Sequence, residues 1–366
     1  MAIQEKGGEG GMKKKISGCI VLALCCLMMV SCGENDGGAE AQNVVYVYNW
    51  GDYIDTDVLD QFEEETGIKV VYDEFETNES MYPKIASGTV KYDVIVPSDY
   101  MIAKMIDNDM LQKLDFDKLP NAKKYIGKKY YKQSEEFDPG NCYSVPYTWG
   151  VLGIMYNTKM VDEPVDSWSI LWDPKYTDSV LMQDSVRDAF SVALKIKGYS
   201  LNTTDHNELI EARDLLIKQK PIVQAYVVDE AKDKMASGEA ALGVVFSGEA
   251  LLINAENPDL EFAVPKEGTN LWIDSMVIPK NAEHVDNAHK FIDFICRPDI
   301  ALKIFDYLNY STPNICVQEM EEDPELKNSK IAFPDDIYDD QETYDYLGSD
   351  MDRFYNELWL DLKTAD

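Results

Sequence analysis

Four short stretches set an aromatic ring beside a carboxylate or hydroxyl. They are Trp50, Asp52 and Tyr53 in NWGDY, Ser98, Asp99 and Tyr100 in PSDY, Phe246 and Glu249 in FSGE, and Trp272 and Asp274 in WID. These residue types suit one ligand chemistry, an organic ammonium. A ring face attracts the cation and packs on its methylenes, and a carboxylate accepts its charge-assisted hydrogen bonds. A long diamine or triamine needs carboxylates at its ends and rings along its middle. Taken singly, each residue also has an ordinary role: Trp and Tyr mostly pack cores, and Ser98 is a natural helix N-cap. What sets the four apart is that each follows an apolar run that reads as a strand.

The inventory for catalysis is thin. His206, His284 and His289 are the only histidines, and no Gly-x-Ser-x-Gly elbow, His-Glu-x-x-His pair or phosphate-binding glycine loop is present. His284 and His289 are five apart, which does not place them on one helix face. No Cys or His spacing suits a metal, and nothing calls for a cofactor. The sequence does not read as an enzyme.

The elements that must position these residues alternate strand and helix. Val44–Tyr48 starts a strand, and Asp55, Thr56 and Asp57 offer caps for a helix carrying Val58, Leu59 and Phe62 that Gly67 closes. Strands are expected at 68–72, 92–96, 150–156, 240–246 and 272–278, and helices at 82–86, from 98 through 105, 191–197, 287–296 and 350–363. Such alternation means an α/β fold with right-handed crossovers. In open α/β sheets ligands bind beyond the carboxyl ends of the strands, where the ring–acid stretches fall.

Residues 13–31 join a Lys13-Lys14-Lys15 patch to an apolar run too short to span a bilayer, ending at Ser31-Cys32. This resembles a bacterial lipoprotein signal, with Met12 a natural start and Cys32 the residue that takes lipid. Residues 32–42 read as a Gly-rich flexible tether holding a soluble domain at a membrane surface. Dropping the four Lys and two Glu of residues 1–31 takes the net charge from −33 to −35. A charge so negative argues against nucleic acid and suits a cationic ligand. Of the seven cysteines, Cys142, Cys296 and Cys316 remain beside Cys32, so one bridge among them stays open.

Ordered motifs then carry a resemblance over nearly the whole mature chain. YNWGDYI (48–54), QFEEETGIKVVYDEFETNESMYPKI (61–85), YDVIVPSDYMIAKM (92–105), SVPYTWG (144–150), SWSILWDPKY (167–176), WIDSMVIPKNA (272–282), FIDFICRPDIA (291–301) and YSTPN (310–314) resemble the spermidine/putrescine-binding proteins of ABC importers. The resemblance implies a two-lobed α/β clamp of the type II periplasmic-binding-protein class, each lobe a mixed sheet flanked by helices. The lobes would be residues 43–148 with about 275–318, and 149–274 with about 319–366. It implies that Trp50, Asp52 and Tyr53 with Ser98 and Tyr100 line one wall of the site. Asp184, Ser185, Asp188, Phe246, Glu249, Trp272, Asp274 and Tyr310 complete it. Spermidine-type members carry an acidic pair where this chain has Asp184-Ser185, and a Trp where it has Phe246. Glu249 stands where putrescine-type members carry Asp, so the site mixes both patterns. The expected role is polyamine capture outside the cell membrane and delivery to a permease, by a monomer held through lipid on Cys32. Two alternatives remain: a same-fold binder of another solute, and a ligand-sensing surface lipoprotein. An anion would want Arg or Lys in loops that instead carry Asp and Glu.

Overall fold

The computed structural model describes residues 43–228, 230–333 and 341–365. The expected signal, the tether and Cys32 lie outside the described residues. Among the described residues no helix is long and apolar enough to cross a membrane.

Strand β1 (Val44–Trp50) runs parallel to β2 (Lys69–Phe75). The helix between them, Thr56–Thr66, is closed as its sequence anticipates. The Asp55 side chain accepts from the Asp57 amide, and Gly67 ends it at φ +68°, where a side chain would be strained. On the other side of β1 lies β3 (Val94–Ile95), shorter than the expected 92–96 run. The remaining strands are β4 (Ser144–Asn157), β5 (Val180–Gln183), β6 (Val223–Val227), β7 (Leu242–Phe246), β8 (Leu260–Ala263) and β9 (Leu271–Val277). Their order is β2-β1-β3-β9-β4-β7-β5-β6, with β8 also on β4.

β4 is the seam of the molecule. From Ser144 to Val151 it pairs with β9, and from Leu152 to Tyr156 with β7. The apolar cores divide at the same place. Val45, Phe62, Phe291, Trp149, Val151 and Ile273 are buried on one side, and Leu152, Phe190, Leu216 and Leu358 on the other. The fold is therefore a two-lobed α/β clamp. The switch of partner falls at 151/152, three residues after the expected 148/149 boundary, and all of β9 belongs to the first sheet. Near the C-terminus Val317 and Ala332 pack on Phe305 of helix Pro298–Leu308, while Ile331 packs against the core around Met155, Leu181 and Ile253, so this stretch touches both lobes. Helix Ser349–Thr364 then buries Tyr355, Leu358 and Leu362 in the second core.

Between these two placements, residues 341–348 strap the lobes together. Glu342 lies beside Asn270 and accepts from Lys195 and Ser200, while Thr343 reaches Glu136. Lys104 of helix Asp99–Asp107 stands 3.8 Å from Asp352 and over the rings of Tyr82 and Tyr346.

Candidate ligand-binding site

Asp274 sits in the middle of β9, where the two-residue period of a strand puts it on one face with Trp272. Its cross-strand neighbour on β4 is Thr148, and on the opposite edge Ser98 bridges to it. Tyr53 donates to Asp274 Oδ2 at 2.7 Å, and the Thr148 hydroxyl lies 2.7 Å from the same phenol oxygen. An ionised carboxylate cannot donate, so the Tyr53 proton goes to Asp274 and Thr148 donates to Tyr53. Asp274 is only 6% exposed, and its other oxygen, Oδ1, has no hydrogen-bond partner. Burial pushes its carboxyl up to about 6, against the opposing pull of the Ser98 and Tyr53 hydroxyls. Burial, then the charge of Asp274, keeps the Tyr53 phenol neutral.

Rings extend from this carboxylate as a continuous row. Trp50 and Tyr53 meet at 6.4 Å between ring centres, Tyr53 and Tyr310 at 5.9 Å, Tyr310 and Trp272 at 5.4 Å, and Trp272 and Phe246 at 6.1 Å. All four contacts are edge-to-face, the favoured geometry for such pairs. The row joins the lobes, since Trp50 ends β1 and Tyr53 follows it, whereas Phe246 ends β7. Two glycines let it close. A Cβ at Gly150 would stand 2.6 Å from the Trp272 ring, and one at Gly248 would stand 2.1 Å from the Tyr310 ring. The indole N–H groups of Trp50 and Trp272 are buried without acceptors.

The loop 50–53 is fixed from beneath. Tyr147 donates to the Tyr53 carbonyl at 2.5 Å, and the Trp50 amide donates to Asn49 at 2.9 Å. Asp52 adopts φ +51°, a left-handed conformation that Asp tolerates better than most residues. That turn leaves its carboxylate exposed, 3.4 Å from the Tyr307 hydroxyl. Ser98 begins helix Asp99–Asp107 without capping it; its hydroxyl instead accepts from Asn78 at 3.1 Å. Tyr100 receives the other Asn78 proton at 3.0 Å and donates to Glu79 at 2.9 Å.

The second lobe's residues divide. Asp188, in the first turn of helix Val186–Lys197, is buried and accepts from Tyr344 at 3.0 Å. Burial raises its carboxyl, while the Ser185 and Tyr344 hydroxyls pull the other way. Asp184 is exposed and paired with Lys363 at 2.7 Å, in a separate cluster with Tyr226 and Trp359. Glu249 is buried at the start of helix Ser247–Glu256 and accepts from the Phe246 amide at 3.4 Å, as a first-turn carboxylate does.

The structure thus gathers Trp50, Tyr53, Ser98, Phe246, Trp272, Asp274 and Tyr310 into one cluster. Ser185 and Asp188 form a neighbouring patch, and Asp52 and Asp184 stand at the surface. Four further residues support the cluster: Thr148, Tyr147, Asn78 and Tyr344. Thr148 and Tyr147 lie in the SVPYTWG stretch, where a hydroxyl beside apolar residues was the available signal. Asn78 and Tyr344 act across the fold and leave no local signature. Cys142, Cys296 and Cys316 are all free thiols, so no bridge joins them.

Comparison with known proteins places the chain and its fold in a family. Residues 57–334 match the family described as bacterial extracellular solute-binding protein. The spermidine/putrescine-binding periplasmic protein of Salmonella typhimurium is 37% identical over 335 residues, covering 91% of this chain and 95% of its own. The Escherichia coli protein of that name is 39% identical over 305 residues, with 83% and 86% covered. Among solved structures, the spermidine/putrescine transporter binding protein PotD of Streptococcus pneumoniae is 42% identical. It superposes with a TM-score of 0.80 over 88% of this chain and 99% of its own. A putative spermidine/putrescine ABC transporter protein from Listeria monocytogenes is 44% identical, with a TM-score of 0.81 over 88% and 100%. By sequence and fold, this chain belongs to the bacterial extracellular solute-binding protein family.

Proposed function

We propose that this protein is the binding component of an ABC importer, capturing a polyamine, putrescine or spermidine, between its lobes outside the cell membrane. The observation that carries this reading is Asp274. A buried carboxylate with one unpartnered oxygen, walled by Trp50, Tyr53, Trp272 and Tyr310, is costly to keep unless a cation arrives. An ammonium supplies the missing donors, and the rings stack on its methylenes. The relatives named for spermidine and putrescine support the same ligand class.

Asp274 would hold an inner ammonium and Asp188 a terminal one, with Asp52 at the opposite mouth. Glu249 faces a competing demand from its own helix, and Asp184 from Lys363, so both contribute less. The lobes would turn about β4, and the ligand would favour the closed state because only there do both lobes touch it. Lipid on Cys32 would hold the clamp near its permease, and the protein would act as a monomer without catalysis.

The test is isothermal titration calorimetry of the chain from Asn43, refolded to strip carried-over ligand, with putrescine and with spermidine. Micromolar or tighter binding of either supports the reading. A folded protein that gives no heat with both refutes it.

A further inference from the structure

Next to Asp274 lies a second carboxyl that the site as described does not use. Asp99 is the first residue of helix Asp99–Asp107 and is 0% exposed. Its Oδ1 accepts from the Tyr100 amide at 2.7 Å, and its Oδ2 has no partner. The backbone holds it close to Asp274. Ser98 bridges to Asp274, and the Ser275 amide donates to the Pro97 carbonyl at 3.1 Å. Two neighbouring, buried carboxyls therefore each carry one oxygen without a hydrogen-bond partner, and one of them, Asp274, is bonded to the aromatic row through Tyr53.

We propose that Asp99 is a specificity-determining residue: a reserve carboxyl that stays protonated in the empty clamp and releases its proton to solvent when a ligand of three positive charges enters. This deepens the polyamine reading and rests on it. The charged and titratable groups around Asp99 fit such a role. Asp274 on β9 opposes its ionisation, as does burial. The Tyr100 and Ile273 amides favour it, and so does Arg187 on helix Val186–Lys197, which is held among Asn202, Leu201 and the Tyr344 ring. Tyr100 itself is kept neutral by burial and by Glu79. In the empty protein the balance lies with the neutral acid. A polycation against Asp274 cancels the repulsion that keeps Asp99 neutral, and the third charge of a triamine, which otherwise has only the solvent-exposed Asp52, then gains a buried partner. A diamine, matched by Asp274 and Asp188, draws on Asp99 less.

The experiment compares wild type with Asp99→Asn, whose amide has the shape of the neutral acid. Calorimetry at pH 7.5 in phosphate and in Tris counts protons released on binding of putrescine and spermidine. Wild type should release more protons with spermidine than with putrescine. The variant should lose that excess, and its spermidine affinity should fall at least about tenfold, the scale of one lost partly screened charge. Equal proton counts in the two proteins would overturn the proposal. A second measurement needs no ligand: the unfolding temperature of the empty proteins between pH 5 and pH 9. A carboxyl protonated when folded contributes stability that is complete at low pH and lost as the pH rises. Wild type should therefore fall relative to the variant toward pH 9, and parallel curves would overturn the proposal. If wild type binds neither polyamine, the ligand reading fails on its own evidence, while the unfolding curves still decide whether Asp99 holds a proton.

Discussion

Acidification should weaken ligand binding through Asp274, and the size of the effect follows from its surroundings. Burial raises this carboxyl to about 6 in the empty protein. A cation binds the ionised form, so below that value each proton competes with the ligand, and the apparent affinity falls by the fraction protonated. Kd for putrescine, which draws little on Asp99, should be nearly flat from pH 8 to pH 7, about twofold weaker at pH 6 and about tenfold weaker at pH 5, with the diamine essentially fully charged throughout. The empty protein shows the same linkage with opposite consequence. A carboxyl whose folded value lies above its unfolded one contributes stability that is complete below about pH 4 and is lost as the pH rises through about 6. Near neutrality the unliganded clamp is thereby about 3 kcal/mol less stable than it is in acid, and ligand restores that stability. Asp306, raised to about 6 by burial and by Glu321, titrates in the same window. Unfolding curves alone therefore do not isolate Asp274, but affinity does. The assay is calorimetry at five pH values, with Asp274→Asn as control. The variant should bind about 2–5 kcal/mol more weakly, as for a broken buried charge pair, and its residual affinity should not follow this titration. A wild-type Kd that stays flat or tightens between pH 7 and pH 5 would refute the reasoning.

Three other outcomes follow from the geometry. Gly248→Ala should lower both affinity and unfolding temperature, by about 1–3 kcal/mol of overpacking, because its Cβ would meet the Tyr310 ring at 2.1 Å; thermal melts with and without ligand check it. Asp184→Asn should change polyamine affinity less than about threefold, since Lys363 already holds that carboxylate, whereas Asp188→Asn should cost more than about tenfold. Equal losses in titration would show that Asp184 turns into the site. Lys104→Ala should weaken binding by no more than about 1 kcal/mol, the scale of a partly exposed ion pair, with the change in the dissociation rate read by stopped flow.

Much of this molecule is legible in the sequence where local chemistry decides. Asp55 and Gly67 mark the first helix because a cap needs a short acceptor and a left-handed exit. The helix at 350–363 was readable from the spacing of Phe354, Leu358 and Leu362, and it runs Ser349–Thr364. Reading falls short where one element serves two neighbourhoods. β4 was expected only from Gly150 because Pro146 and Gly150 look like breaks. In the fold Pro146 borders an irregularity in the β4–β9 pairing, and Gly150 makes room for Trp272. Helix Pro298–Leu308 was not among the expected helices, although a proline such as Pro298 is well placed in a first turn. Trp50 and Tyr53 were visible as rings beside an acid at a strand end, whereas Trp272 and Asp274, read the same way, lie within β9 and reach the site through its two-residue period. Asp184 matches a motif, but its use depends on a helix nearly 180 residues away, which no local pattern encodes.

Four of the buried polar atoms without partners belong to the ring row or to the carboxyls Asp274 and Asp99. Trp50 Nε1, Trp272 Nε1, Asp274 Oδ1 and Asp99 Oδ2 are each buried without a partner; Trp50 and Trp272 are in the ring row, Asp274 is bonded to Tyr53 of that row, and Asp99 follows Ser98, which bridges to Asp274. Any one of them costs about 1–3 kcal/mol relative to a satisfied group. A protein selected for stability alone would fill these positions with apolar side chains of similar volume, as Ile273 does between Trp272 and Asp274 on β9. Their retention makes sense if the empty state is not the state that function stabilises. A ligand bringing cationic donors and apolar methylenes meets the carboxylates and the ring faces together, so the free energy withheld from the empty clamp becomes binding free energy. A substitution that satisfies Asp274 from within, such as Ser98→Lys, should therefore raise the unfolding temperature of the empty protein and abolish polyamine binding together. A variant that gains stability yet still binds as tightly would break this link between the unpaired carboxylate and the ligand.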